Sequence, residues 1–144
     1  MIAARQRRND VIVQDGIDAG GDLYLGGRNA DGELWSVGIR HPRLDGQLID
    51  VLRVSDKAVC TSGDYERTTD EGHHILDPRT GTAAQGTASA TVVAPTAMLA
   101  DAVATAAFVL GPVAGIELCD SLGLEGLILT ANLDRHETNG LRDE

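Results

Sequence analysis

Two residues in a mostly apolar segment have the types and spacing of a cation site. Between positions 94 and 110 the only charged side chain is Asp101, and Thr105 follows it by four positions. Helical residues four apart lie one turn from each other on the same face, so this carboxylate and hydroxyl can converge. Hard oxygen donors suit Mg²⁺, which also takes water, carbonyl and phosphate oxygens. The structural alternative is a solvent-facing aspartate, with Thr105 bonded to a backbone carbonyl.

A second candidate segment, His73 to Gly81, has the sequence HHILDPRTG. Pro78 fixes φ and the glycine permits positive φ, so the pattern predicts a tight turn. Histidine side chains commonly serve as general bases, and His74 could do so here. The alternative is a loop histidine bonded to Asp77.

Two polar stretches could contact a ligand. Ser62 to Tyr65 (SGDY) follows a predicted strand, where loops commonly carry function. Tyr65 could pack on a planar ligand or belong to the core, and Asp64 could anchor Arg67 or Arg79 instead.

The glycine pair Gly20–Gly21, followed by Asp22, could let backbone amides approach a phosphate or flavin. The alternative is a hairpin or bulge.

Composition limits the possible classes of function. The net charge of −10 argues against nucleic acid or an anionic membrane surface as the main partner. A bound phosphate would therefore need a local metal ion, backbone amides or a placed arginine. Cys60 and Cys119 match no metal-ligand spacing. No apolar run is long enough for a transmembrane segment, and we expect no signal peptide, which leaves the localisation unknown.

The elements that must position these residues form an α+β pattern. The run from 94 to 110 predicts a helix capped by Thr96 and ended by Gly111–Pro112, with one apolar stripe. The stripe consists of Leu99, Val103, Ala106 and Leu110. We predict a mostly antiparallel sheet with two helices on one face. The second helix is predicted at Ala114 to Ser121, and the clearest strands at Leu34 to Ile39, Leu48 to Val54, Ala58 to Thr61, Ala88 to Ala94 and Gly126 to Leu129.

The predicted domain organisation is simple. Residues 1–9 are expected to form a flexible basic arm, 10–131 one domain, and 132–144 a disordered tail rich in charged residues.

Five motifs together resemble the FAD:protein FMN transferase (ApbE) family. They are AGGD at 19–22, WSVGIRHP at 35–42, TSGDYER at 61–67, HHILDPRTG at 73–81, and the DAVATAAFVLG helix from 101. The resemblance runs from about residue 10 to about residue 130. It covers only the C-terminal portion of the family's usual chain, which continues N-terminally into a segment with a glycine-rich Lys-Gly stretch.

The resemblance implies roles for individual residues. Asp101 and Thr105 would bind Mg²⁺ at the FAD pyrophosphate, and His74 would activate an acceptor hydroxyl. Ile75 would meet FAD through its main chain. The FAD-binding residues would also include Gly21, Asp22, Ser62, Gly63, Asp64 and Tyr65. The product would be FMN joined to a threonine or serine of a target flavoprotein, although some family members hydrolyse FAD instead.

Two other readings of function remain open. The chain could be a non-catalytic flavin- or nucleotide-binding remnant, or a subunit that needs a partner. It could also be a small zinc hydrolase using His73, His74 and Asp77, although adjacent histidines rarely share one ion.

We predict that the chain self-associates. In the family, its first strands would lie beside the N-terminal half of the protein, and without those neighbours they would leave an open sheet edge or an apolar patch. Light scattering at about 100 µM should give a mass above that of one chain. A monomeric mass would contradict this expectation.

Overall fold

A computed structural model describes residues 2–4, 16–19, 22–65, 68–69 and 72–142. In chain order the strands before the helices are β1 (Ile2–Ala4), β2 (Gly16–Ala19), β3 (Asp22–Leu25), β4 (Trp35–Arg40), β5 (Leu48–Val54), β6 (Lys57–Gly63), β7 (Thr68–Thr69), β8 (Gly72–His73), β9 (Leu76–Asp77), β10 (Thr82–Ala83) and β11 (Thr87–Ala94). They are followed by α1 (Ala97–Leu110), α2 (Pro112–Ser121), β12 (Glu125–Thr130), β13 (Arg135–Glu137) and a 3-10 turn, Asn139–Arg142.

The main sheet is antiparallel and has six strands in the order β13-β12-β11-β6-β3-β2. Its central strand β11 pairs with β6 on one side and β12 on the other. All eight residues of β11 are buried. A strand buried on both faces must be covered by a layer on each side of the sheet, and this sheet has two such layers.

The helices cover one face of the sheet. Buried residues of α1 pack with Cys60 on β6 and Val92 on β11, forming one apolar cluster. A second cluster joins Phe108 of α1 to Ile128 of β12. The predicted fold class, an antiparallel sheet with two helices on one face, is confirmed.

A separate three-stranded sheet, in the order β1-β4-β5, covers the opposite face. Val37 and Ile39 of β4 lie in one apolar cluster with Leu23 of β3 and Leu129 of β12. Arg135 on β13 also donates a hydrogen bond to Asp50 on β5, which links the two sheets at their edges.

The helix boundaries were predicted well. Thr96 caps α1, with its hydroxyl accepting from the amide of Leu99 at 3.3 Å, and Gly111 ends the helix at a φ of +89°. The predicted apolar stripe was wrong except at Val103, since Leu99 and Leu110 are 38% and 43% exposed. The face that packs on the sheet consists instead of Ala100, Val103, Ala104, Ala107 and Phe108. The residues of α1 are apolar on nearly every side of the helix, so the periodicity of the sequence could not identify which face is buried.

The predicted strands at Leu48 to Val54 and Ala88 to Ala94 correspond closely to β5 and β11. The expected disordered tail was wrong for residues 135–142. β13 pairs with β12, and Leu141 is only 5% exposed, so ladder hydrogen bonds and one apolar anchor order a charged segment. Within the predicted basic arm, residues 2–4 pair with β4. The rest of that arm and the Gly20–Gly21 pair lie outside the described residues.

We predict that Gly115→Ala destabilises the chain by about 1–2 kcal/mol, because the added carbon overpacks the core. Its Cβ would lie 2.5 Å from the Ile128 Cδ1 and 2.8 Å from the Ala107 carbonyl oxygen. Urea unfolding gives the free energy. The matched control is Gly140→Ala, whose Cβ would meet only Glu125 Cγ at 3.7 Å and should cost under about 0.5 kcal/mol. Equal stabilities of the two variants would contradict the close approach of Gly115 on α2 to Ala107 on α1 and Ile128 on β12.

Candidate functional site

Helix α1 lies along strand β6, and the two elements touch at the candidate site. The hydroxyls of Ser62 and Thr105 are 3.1 Å apart, and the Cys60 Sγ lies 3.6 Å from the Ala97 carbonyl oxygen. Cys60 and Ser62 face the helix together because side chains alternate along a strand. Asp101 lies one turn before Thr105, and both residues are exposed. The predicted pair therefore lies at the solvent edge of the helix–sheet contact.

A second carboxylate, that of Asp22 on β3, lies near Cys60 at the candidate site. Burial raises the pKa of the Cys60 thiol to about 12, with further contributions from the charge of Asp22, a hydrogen bond to Asp22 and the charge of Asp101. Both carboxylates therefore lie close enough to Cys60 to act on it. We call Asp22, Ser62, Asp101 and Thr105 the helix-edge site.

The donor set of the helix-edge site fits a hard cation better than a soft one. Its polar atoms are carboxylate and hydroxyl oxygens, which Mg²⁺ prefers. Within the described ranges, no three histidine, cysteine, aspartate or glutamate side chains are grouped closely enough to hold a metal ion. A cation here would therefore also need oxygens from a bound ligand or water.

The loop after β6 is held from two directions. The Asp64 amide donates to the Ala88 carbonyl at 2.9 Å, which extends the pairing of β6 with β11. The Asp64 carboxylate accepts two hydrogen bonds from Arg43, at 2.7 and 2.8 Å. These bonds to Asp64 raise the pKa of the Arg43 guanidinium, against the effect of burial. The sequence offered Arg67 and Arg79 as partners of Asp64. The pairing with Arg79 was wrong, because Arg79 binds Asp77. Arg67 lies outside the described residues.

The ring of Tyr65 lies over Gly63. A Cβ at Gly63 would be 2.5 Å from the Tyr65 Cε1, so only glycine admits the ring in this position. Tyr65 is half-buried, so packing against its own loop holds the ring while part of it remains accessible.

The segment from His74 to Ala84 forms a hairpin, which we call the histidine hairpin. Its turn is the predicted one: the amides of Thr80 and Gly81 donate to the Asp77 carbonyl at 3.1 and 2.8 Å. Arg79 binds the Asp77 carboxylate, and these bonds keep the pKa of Asp77 below its usual value. The Asp77 carboxylate is therefore engaged by Arg79.

The histidine hairpin docks on the C-terminal half of α1. Ile75 is buried with Ala107 and Phe108 of that helix, and Arg79 reaches the Val109 carbonyl at 3.4 Å. His74 is exposed immediately before this anchor, so it lies beside the helix that carries Asp101 and Thr105. The Ile75 carbonyl accepts from the Ala84 amide at 3.0 Å, and its main-chain contact with FAD stays a prediction.

The structure places Ser62 and Thr105 in contact one turn from Asp101, and it places Ile75 against the C-terminal half of the same helix. Gly21 lies outside the described residues, as does the side chain of His73. Arg43 was missed by sequence reasoning. Its only signal was its position just after the WSVGIRHP motif, since no spacing rule relates it to Asp64, 21 residues away.

Solved structures that superpose on this arrangement of sheets and helices include an ApbE protein and a flavin transferase. The ApbE protein of Thermotoga maritima superposes with a TM-score of 0.78 at 35% identity, covering 88% of this chain and 43% of that one. The flavin transferase ApbE of Vibrio cholerae superposes with a TM-score of 0.76 at 27% identity, covering 89% and 43%.

The sequence comparison agrees. The model of the ApbE family matches residues 3–128, and the chain belongs to that family. It is 33% identical over 115 residues to the FAD:protein FMN transferase of Haemophilus influenzae, covering 75% of this chain and 33% of the relative. It is 32% identical over 141 residues to that of Escherichia coli, covering 94% and 40%. The chain thus spans between 33% and 40% of these two relatives.

We predict that neither cysteine reacts readily with Ellman's reagent in the folded chain. Both side chains are fully buried, and a pKa of about 12 leaves Cys60 about a thousandfold less thiolate at neutral pH than an ordinary thiol. Absorbance at 412 nm should rise slowly in buffer and quickly in guanidinium, where both thiols are exposed. Fast modification of Cys60 in the folded chain would contradict the close contact of β6 with α1.

Proposed function

We propose that this chain provides the FAD- and Mg²⁺-binding part of an FAD:protein FMN transferase. The observation that carries the proposal is the contact between Ser62 and Thr105, which joins β6 to α1 one turn from Asp101. It concentrates oxygen donors at one exposed edge, beside the hairpin that carries His74. Family membership supports the substrate, since the matched relatives are named FAD:protein FMN transferases.

Asp101 and Thr105 are the proposed ligands of Mg²⁺, with Ser62 holding the Thr105 hydroxyl in place. A bound Mg²⁺ would neutralise charge on the pyrophosphate of FAD as its anhydride bond breaks. A chain with a net charge of −10 needs such local compensation to bind an anionic substrate.

His74 is the proposed general base. Its imidazole would take the proton of an acceptor threonine or serine hydroxyl, whose oxygen bonds to the FMN phosphorus. The P–O bond to the AMP half then breaks, and AMP leaves with the electron pair. The exposure of His74 suits this role, because the acceptor is a second protein that must reach it. Water in place of the acceptor hydroxyl would yield free FMN and AMP.

A second candidate is a binding unit without turnover. The chain covers only 33% to 40% of the relatives described above, so residues from the rest of their length could be required for transfer. By contrast, the zinc hydrolase hypothesis finds no support in the described residues, because the Asp77 carboxylate is already bonded to the Arg79 guanidinium.

Calorimetric titration of FAD, with and without Mg²⁺, tests the proposed site. We expect binding that depends on Mg²⁺ and weakens at least about tenfold in Asp101→Asn, because the variant removes a charged ligand while keeping the side-chain shape. Asp120→Asn on α2 is the matched control, since it removes the same charge from an exposed helical position. Its FAD affinity should equal that of the unaltered chain.

The outcomes separate the candidates. Mg²⁺-dependent binding by the unaltered chain, with AMP release on adding an acceptor flavoprotein, supports the transferase. Loss of AMP release in His74→Gln, with FAD binding retained, supports the role of His74 as base. Binding without AMP release in every condition favours the non-catalytic unit. Equal affinities of Asp101→Asn and the control would contradict the metal site.

A further inference from the structure

The ion pair between Arg43 and Asp64 connects the three-stranded sheet β1-β4-β5 to the loop that follows β6 at the candidate site. Both nitrogens at the end of the guanidinium engage both carboxylate oxygens, at 2.7 and 2.8 Å. The two side chains are 39% and 21% exposed. An exposed pair of this kind contributes little to folding stability, but its forked geometry fixes orientation.

The loop that carries Arg43 is itself braced. Residues 41–47 join β4 to β5, and the Nδ1 of His41 accepts hydrogen bonds from the amides of Arg43 and Leu44, both at 3.1 Å. The His41 amide donates to the Gln47 carbonyl at 2.9 Å, and Arg43 also donates to the Pro42 carbonyl at 3.2 Å. These bonds hold the backbone at Arg43 in place, and the side chain extends from it to Asp64.

Asp64 lies where an unpaired carboxylate would oppose an anionic ligand. It follows Ser62 by two residues, about 7 Å along an extended chain, and Ser62 touches Thr105 at the helix-edge site. A pyrophosphate bound there would be repelled by a bare charge on Asp64. The repulsion matters in this chain because the helix-edge site already contains Asp22 and Asp101.

We propose that Arg43 is a positioning residue for FAD binding: it neutralises Asp64 and holds the Ser62–Tyr65 loop against the helix-edge site. Arg43 acts through Asp64 and does not itself contact the pyrophosphate. The inference rests on the proposed function, and it adds a residue from the three-stranded sheet to the binding apparatus.

A double-mutant cycle measured by FAD titration in Mg²⁺ tests the proposal. Arg43→Met should weaken FAD binding about tenfold, the effect of one uncompensated charge at this distance. In the Asp64→Asn background the same substitution should change the Kd by less than about twofold, since no charge remains to be neutralised. Arg43→Lys keeps the charge without the fork, and should recover part of the affinity.

Arg53→Met is the matched control. It removes the same charge from an exposed arginine on β5, whose partner Glu33 is 3.8 Å away. Its Kd for FAD should equal that of the unaltered chain. An equal loss in the control would assign the effect to net charge and overturn the proposal. An equal loss from Arg43→Met in both backgrounds would mean that Arg43 contacts FAD directly, which also overturns it.

Amide hydrogen exchange without FAD keeps this proposal separate from the proposed function. In Arg43→Met, exchange at residues 62–65 should accelerate about tenfold, while exchange in the centre of β11 stays unchanged. If the unaltered chain binds no FAD, the proposed function fails and the exchange data alone decide whether Arg43 holds the loop. Unchanged exchange at residues 62–65 would overturn the proposal.

Discussion

The close packing of helix α1 on strands β6 and β11 is the constraint on which the rest of the structure depends. It is possible because the buried face of α1 is largely alanine, which lets the helix backbone approach the sheet closely. The contact brings Thr105 to Ser62 and the histidine hairpin to Phe108. Both halves of the candidate site are thus positioned by one apolar interface.

Electrostatics impose the second constraint. The chain carries a net charge of −10, and two carboxylates lie around Cys60, yet the proposed substrate is itself an anion. Acidic groups can serve such a substrate only when a cation lies between them and the phosphates, or when an arginine neutralises them. Asp101 is suited to the first arrangement, and Asp64 with Arg43 shows the second.

Local patterns were reliable where a short-range physical rule applied. Thr96 capping, the stop at Gly111 and the Asp77 turn depend on neighbouring residues only, and all were predicted from sequence. The buried face of α1 was assigned wrongly because that helix is apolar on nearly every side. The composition of the C-terminal segment suggested disorder, so strand β13 was not predicted. Its hydrogen bonds to β12 and the burial of Leu141 stabilise the segment, and composition reveals neither.

The sequence by itself determined the family and the α+β class and supplied the candidate site residues, because motifs and periodicities are properties of neighbouring positions. The tertiary structure alone decided which of those residues meet. Thr105 is 43 positions from Ser62 and Arg43 is 21 from Asp64. Only sheet pairing and helix packing set such distances, because the free energy of burying apolar surface depends on the whole chain and not on any single segment.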